Sequence, residues 1–186
     1  MLIIGITGTL GAGKGTIVDF LTKEKSFIHF SVRAFIAEEI IRRGLEVNRD
    51  SMVLVANDLR KNNSPSYIID RLYDKAIALG MNSVIESIRT PGEVYSLRGK
   101  GGFYLLAIDA DPKIRYRRIS LRNSETDKVS FGTFLQNERR EMESLDPNAQ
   151  NIAKCIELAD YKLRNNGTME QLNRQIEEIL LEIIRK

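Results

Sequence analysis

Two spacings of apolar residues alternate along the chain. Residues 2–7, Leu-Ile-Ile-Gly-Ile-Thr, form a short β-prone apolar run with no polar face, the pattern of a strand buried on both sides. Glycines follow at 8, 11, 13 and 15, and from Lys14 to about Thr22 the apolar residues Ile17, Val18, Phe20 and Leu21 fall at helical spacing. The chain therefore opens as strand, glycine loop, helix. Further strands are predicted at about 27–30, at 83–88, at 103–109 and at 160–164. Helical stretches separate them. The one at 65–79 has Ser64 as a cap, Pro65 at its first position and Gly80 as its stop. The last, from about 168 to 185, repeats Leu172, Ile176, Ile179, Leu180 and Ile183 on one face. Strands alternating with helices imply βαβ units, hence a parallel sheet covered on both faces, a three-layer α/β fold. Ligands of such sheets bind at the carboxyl ends of the strands.

Composition narrows the classes. The 186 residues contain no repeat, low-complexity tract or Gly/Ser/Pro linker, so 1–186 reads as a single domain with a core large enough to fold unaided. One cysteine, Cys155, cannot form an internal disulfide, and one histidine, His29, leaves no His/Cys cluster for structural zinc. Any metal must be held by oxygens. No apolar run is long enough to span a bilayer, and the first residues lack the layout of a signal peptide, so a cytoplasmic protein without membrane contact is expected. A net charge of +3 is too mild for the dominant basic face of a nucleic-acid binder. The cations are unevenly chosen, however: residues 33–140 hold 14 Arg and 5 Lys. Arginine's planar fork fits phosphate oxygens two at a time, so this middle stretch suits small phosphates, although solvated helix faces would account for the same count.

The sharpest signal follows the first strand. Gly8-Thr-Leu-Gly-Ala-Gly-Lys-Gly-Thr16 contains G-x-x-x-x-G-K at a strand-to-helix junction, the form of a P-loop. Gly8, Gly11, Ala12 and Gly13 let the backbone curl with N–H groups inward, the helix start adds its positive dipole end, and Lys14 reaches the β- and γ-phosphates. Where most P-loops carry the magnesium-ligating Ser or Thr, this chain has Gly15, with the hydroxyl one place later at Thr16. Direct ligation by the loop is not expected, and Thr16 is a secondary metal candidate.

That G-x-x-G-x-G-K-G-T form resembles the adenylate-kinase-like nucleoside monophosphate kinases. The resemblance implies a P-loop NTPase fold with a five-stranded parallel sheet, a helical acceptor-binding insertion at about 31–80 and a short lid at about 115–140. It also implies ATP and Mg²⁺ as cofactors, the metal being held mainly through water and phosphate oxygens. Three further segments support it. Glu86-Ser-Ile-Arg89-Thr-Pro-Gly-Glu93 looks like the acidic-x-x-Arg segment of phage-type deoxynucleoside monophosphate kinases and of archaeal proteins related to adenylate kinase. By that likeness Glu86, usually Asp in those relatives, holds a water of the metal shell, and Arg89 grips the acceptor phosphate. Arg115, Arg118 and Arg122 share a helix face ahead of polar Asn123–Lys128 and a helix with Arg139 and Arg140. This resembles a lid, which makes Arg118, Arg122 and Arg139 candidates for transition-state charge. Asn165-Asn-Gly167 before the last helix is similar to the base-contacting segment, though a plain turn with Thr168 as cap accounts for the same residues.

The acceptor candidates are Ser31, Arg33, Arg49 and Arg60 beside Arg89. The Thr-Gly-Asp-x-x-Arg signature of adenylate kinase is absent from Ser31-Val-Arg-Ala-Phe-Ile36, so AMP is not singled out. Asn48-Arg49 and the Asn165-Asn-Gly167 ahead of the last helix are similar to dephospho-CoA kinases. The expected activity is phosphoryl transfer from ATP to a nucleoside monophosphate, deoxynucleotides included. Dephospho-CoA or another small metabolite is the rival acceptor, and a nucleotide-dependent switch or ATPase acting through a protein partner is the rival class. The absence of Asn-Lys-x-Asp argues against a signalling GTPase. Asp109, at the ligand edge of a strand, is expected to cap the helix starting at Pro112, with a Mg²⁺ role as the alternative, His29 to be a packed strand residue and Cys155 to fill a helix face. Nothing in the sequence sets the oligomeric state.

Overall fold

The computed structural model describes residues 1–122 and 129–185. The elements in chain order are β1 (Ile3–Gly8), α1 (Lys14–Lys25), β2 (Ile28–Ser31), α2 (Val32–Arg42), α3 (Arg49–Asn62), α4 (Tyr67–Leu79), β3 (Ser83–Glu86) and α5 (Pro91–Lys100). They continue with β4 (Phe103–Asp109), α6 (Pro112–Arg122), α7 (Phe131–Met142), α8 (Ile152–Leu158), β5 (Tyr161–Arg164) and α9 (Met169–Arg185). The strand order is β2-β3-β1-β4-β5, and every pairing is parallel. The expected three-layer α/β fold with a five-stranded parallel sheet is what forms.

β1 lies at the centre between β3 and β4, and all six of its residues are buried, as its unbroken apolar run requires. Its alternate residues serve two cores. Ile3 joins Ile85, Leu105 and residues of α2–α5 on one face, while Ile4 and Ile6 join Val84, Leu106, Ile108 and the inner faces of α1 and α9 on the other. Gly5 is small by necessity, because a Cβ there would lie 2.5 Å from the Ile88 side chain and 2.6 Å from the Phe103 ring. Cys155 is fully buried in the first core, on α8.

Predicted boundaries move at α1, which runs to Lys25 rather than about Thr22, and at two further places. β3 ends at Glu86 rather than 88, because Ser87 turns into the left-handed region at φ 67. α4 begins at Tyr67 rather than Pro65, since Ser64 to Tyr67 first close a turn through Tyr67 N–H donating to Ser64 O at 3.0 Å. Its end at Gly80, φ 66, is as read from the sequence. No helix among the described residues is long and apolar enough to cross a membrane.

Candidate active site

The glycine loop between β1 and α1 is held at Gly8, Gly11 and Gly13 by contacts that leave no room for a side chain. Gly8 has φ 137, and a Cβ there would stand 2.0 Å from the carbonyl oxygen of Ile108. Gly13, φ 109, is the N-cap of α1, and a Cβ on it would meet the Asn165 amide at 2.3 Å. That amide is a brace: Asn165 Nδ2 donates to Ala12 O at 2.8 Å, and Asn165 Oδ1 accepts from Arg118 Nη2 at 3.3 Å. Gly8 and Ala12 thus shape the loop from below, while Gly11, Gly13, Lys14, Gly15 and Thr16 face the cavity described next.

Lys14 folds over the loop, its Nζ donating to Gly8 O at 2.9 Å and Thr9 O at 2.8 Å. Burial, reinforced by the Arg89 cation and, more weakly, by Arg122, pushes its ammonium down from 10.5 to about 7, against the pull of Glu86 and Glu141. A cation under that pressure marks a place built to receive negative charge.

A cavity of about 990 Å³ opens over the loop at the carboxyl ends of β1 and β3. Glu86, Ser87 and Arg89 enter it from the β3–α5 corner, which a capping box of Thr90 and Glu93 fixes. Arg118 and Arg122 of α6 and Gly167 lie along its rim. The opposite wall comes from α2 and α3, where Arg33 and Arg49 alternate with apolar Val32, Ile36, Met52, Val53 and Ala56, and Arg60 completes the wall. Seven cationic side chains, Lys14 and the six arginines just named, face two carboxylates, Glu86 and Glu141.

Glu86 is itself tied down. His29 Nε2 lies 3.5 Å from its Oε1, and Ser31 Oγ donates to the same oxygen at 3.4 Å. The His29 hydrogen bond, with Lys14 adding, holds the carboxyl below its ordinary range despite burial. His29 is therefore not a packed strand residue: it is exposed on edge strand β2 and turned toward Glu86. Ser31 does not line the cavity; it caps α2, its Oγ accepting from Ala34 N–H at 3.2 Å.

The lid residues divide. Arg115 is buried, donating to Ala110 O at 2.7 Å and Leu10 O at 3.3 Å and pairing with Glu138, so it fastens α6 and α7 to the loop rather than meeting a ligand. Arg118 and Arg122 line the cavity, but Arg139 is exposed on α7 and does not. Two residues further, at about 100° of turn each, Glu141 points in instead and bridges Arg49 and Arg89, the latter at 3.0 Å. Gln150 also accepts from Arg89 Nη1, at 2.5 Å. Glu141, Gln150 and Met169 are not legible as site residues, because their place depends on pairings across 52 residues or more of chain or on the packing of α9. The Asn123–Lys128 segment of the lid lies outside the described residues. Asp109 accepts from Thr9 Oγ1 at 2.6 Å, and Asp111, whose Oδ1 accepts from Lys113 N–H at 2.8 Å, caps α6 in its place.

Fold and loop together define a P-loop protein. A family profile described as an AAA domain matches residues 4–146. UPF0200 proteins of Methanococcus vannielii and Methanocaldococcus jannaschii are 31% and 30% identical over 99% of this chain, covering 97% and 91% of their own lengths. The chain belongs to the UPF0200 family. Among solved structures, TT1252 from Thermus thermophilus (TM-score 0.62, 22% identical, 97% of both chains) shares the fold. So does a shikimate kinase from Bacteroides thetaiotaomicron (TM-score 0.56, 15% identical, 96% of this chain and 98% of that one). A gluconokinase from Sinorhizobium meliloti is a third (TM-score 0.59, 14% identical, 99% of this chain and 92% of that one).

Proposed function

We propose that the protein transfers a phosphoryl group from ATP to a nucleoside monophosphate, giving ADP and the diphosphate. The observation that carries this reading is the cavity itself, which runs from Lys14 to a wall where arginines stand beside apolar side chains. A phosphate and a planar ring need those two surfaces together. The α2–α4 segment then serves as the acceptor insertion within a single domain, and α6–α7 as the arms of the lid.

The donor phosphates would lie in the loop backbone with Lys14 against the β- and γ-oxygens and Thr16 beside them. Magnesium suits this donor set when carried by the phosphates and water: among the described residues no three His, Cys, Asp or Glu stand together, and Glu86 and Thr16 are oxygen donors facing the cavity. When bound, the metal neutralises charge on the transferring group. Arg89 and Arg49 orient the acceptor phosphate, and Arg118 and Arg122 supply charge as the phosphoryl group moves. Asn165 holds the loop, leaving the Gly167 backbone and the Met169 side chain to meet the adenine. A hydroxyl acceptor would need a base, and Glu86, held ionised below the usual carboxylate range, is a weak one. An ionised phosphate acceptor needs none.

The test is a panel of nucleoside and deoxynucleoside monophosphates, dephospho-CoA and small phosphorylated metabolites, each given with MgATP and read by product mass. The expected result is ADP and a nucleoside diphosphate in equal amounts from at least one nucleotide. A dephospho-CoA or other metabolite product would move the acceptor class. ADP release unaffected by every acceptor would replace the kinase reading with an ATPase or switch.

A further inference from the structure

The sequence puts Arg60 among the acceptor candidates, and its surroundings argue for a partner other than phosphate. It is only 2% exposed, near the end of α3. Its Nε and Nη2 both donate to Glu93 Oε1, at 3.2 and 2.9 Å, and the side chain of Glu93 is fully buried. The other oxygen of that carboxylate accepts from Arg89 N–H at 2.8 Å and Thr90 N–H at 3.1 Å. One buried carboxylate therefore fixes Arg60 against the corner that carries Arg89. The remaining guanidinium nitrogen, Nη1, is buried and has no hydrogen-bond partner among the described residues. Buried donors left unpaired are rare and costly, so each calls for a reason.

Position supplies one. Met52, Ala56 and Arg60 recur every fourth residue of α3, one stripe of the helix, and all three line the cavity with Val32 and Ile36 of α2. Arg49, in the first turn of the same helix, pairs with Glu141 on the cavity wall. The two arginines are about 16 Å apart along the axis, so a ligand lying along this wall would meet them at opposite ends. At the Arg60 end the charge is already matched by Glu93 and the neighbours are apolar. A phosphate dianion would lose its water there beside a carboxylate. A neutral ring oxygen would lose little and would accept the spare N–H, much as arginine donates to guanine O6 elsewhere.

We propose that Arg60 reads the ring of the acceptor: its Nη1 donates to a keto oxygen, so that the site selects a keto-bearing nucleoside monophosphate over one without that oxygen. This rests on the monophosphate reading above. The probes are inosine 5′-monophosphate and purine riboside 5′-monophosphate, which differ at the ring keto group, titrated calorimetrically in the presence of ADP. The wild-type protein is expected to bind the inosine nucleotide about tenfold or more tighter. Arg60→Lys keeps a cation for Glu93 without the planar fork, and it should reduce the preference to within about twofold by weakening the inosine nucleotide alone. Arg60→Met with Glu93→Gln removes both buried charges and carries the comparison if the single variant does not fold. No preference in the wild type, or equal weakening of both nucleotides in the variants, overturns the proposal while leaving the kinase reading standing. Failure of the wild type to bind either nucleotide, with turnover of none in the acceptor panel, removes both.

Discussion

The two sides of the cavity are held together differently. On the loop side the cation is held locally and by backbone, Lys14 reaching Gly8 and Thr9 six and five residues away, while Asn165 and Arg115 brace the loop carbonyls from 153 and 105 residues off. On the acceptor side the contacts are side-chain pairs between distant elements, 92 residues apart for Arg49–Glu141, 52 for Arg89–Glu141 and 33 for Arg60–Glu93. The charges differ as well. The loop side crowds Lys14 against other cations, whereas each acceptor-side arginine just named already has a carboxylate. Under the proposed function, the loop side receives an anion from outside, and at Arg49 and Arg89 an incoming phosphate competes with Glu141.

Removing the loop cation is the most severe way to break the arrangement. Lys14→Ala is expected to lower turnover by about a thousandfold, the scale set by losing a positioned donor to a transition-state oxyanion. Circular dichroism should be unchanged, and the melting temperature should not fall, because a cation held against its ordinary ionisation is gone. Near-normal turnover in this variant would end the proposed role of the loop.

The contrast also sets what could be read in advance. The loop is a local event: strand, glycines at fixed offsets and a helix start are written within about fifteen residues, and backbone sterics leave few other folds for them. The order of strands and helices was legible for the same reason, since periodicity is local too. Residue types on the acceptor side were legible, and their partners were not. Arg89 could be proposed from its place near a strand end and Arg49 and Arg60 from the helices after β2, but which was buried and which carboxylate each met depended on how α3, α5 and α7 pack. Arg139 and Glu141 make the point most sharply. They lie on one helix two residues apart, and only the rotation of α7, set by Phe134 in the core and Glu138 on Arg115, decides which one faces the cavity. A likeness to lids favoured the arginine, and packing chose the acid.

Glu141 gives a gentler test of the acceptor side. Its carboxylate holds the N–H groups that an acceptor phosphate would use, so Glu141→Gln weakens a competitor without emptying the wall. The expected outcome is a several-fold lower KM for the acceptor, with the KM for ATP nearly unchanged, about the size of one partly exposed ion pair. A higher acceptor KM would mean that Glu141 orients Arg49 and Arg89 for catalysis, and the idea of competition would have to go.

The smallest effect is one proton or less, and it separates the two sides without any mutation. Lys14 titrates near pH 7 when the loop holds no phosphate, because burial and the Arg89 cation oppose its charge. Phosphate oxygens favour the charged form, so nucleotide binding raises that value and draws a proton from solution wherever the free lysine is neutral. The sign follows: at pH 8 binding should take up close to one proton, and at pH 6, where Lys14 is already charged, close to one tenth. Intrinsic affinity should weaken as pH rises above about 7. Folding stability responds in the opposite sense, since the unfolded chain, with an ordinary lysine, binds more protons than the fold between about 7 and 10.5, and this group's contribution improves with pH across that window. Titration calorimetry in buffers of different ionisation enthalpy measures the uptake directly. Repeating it with Lys14→Ala should remove the pH 8 uptake. Uptake that persists in the variant would assign the proton to another group and return Lys14 to the ordinary, always-charged lysine of an open loop.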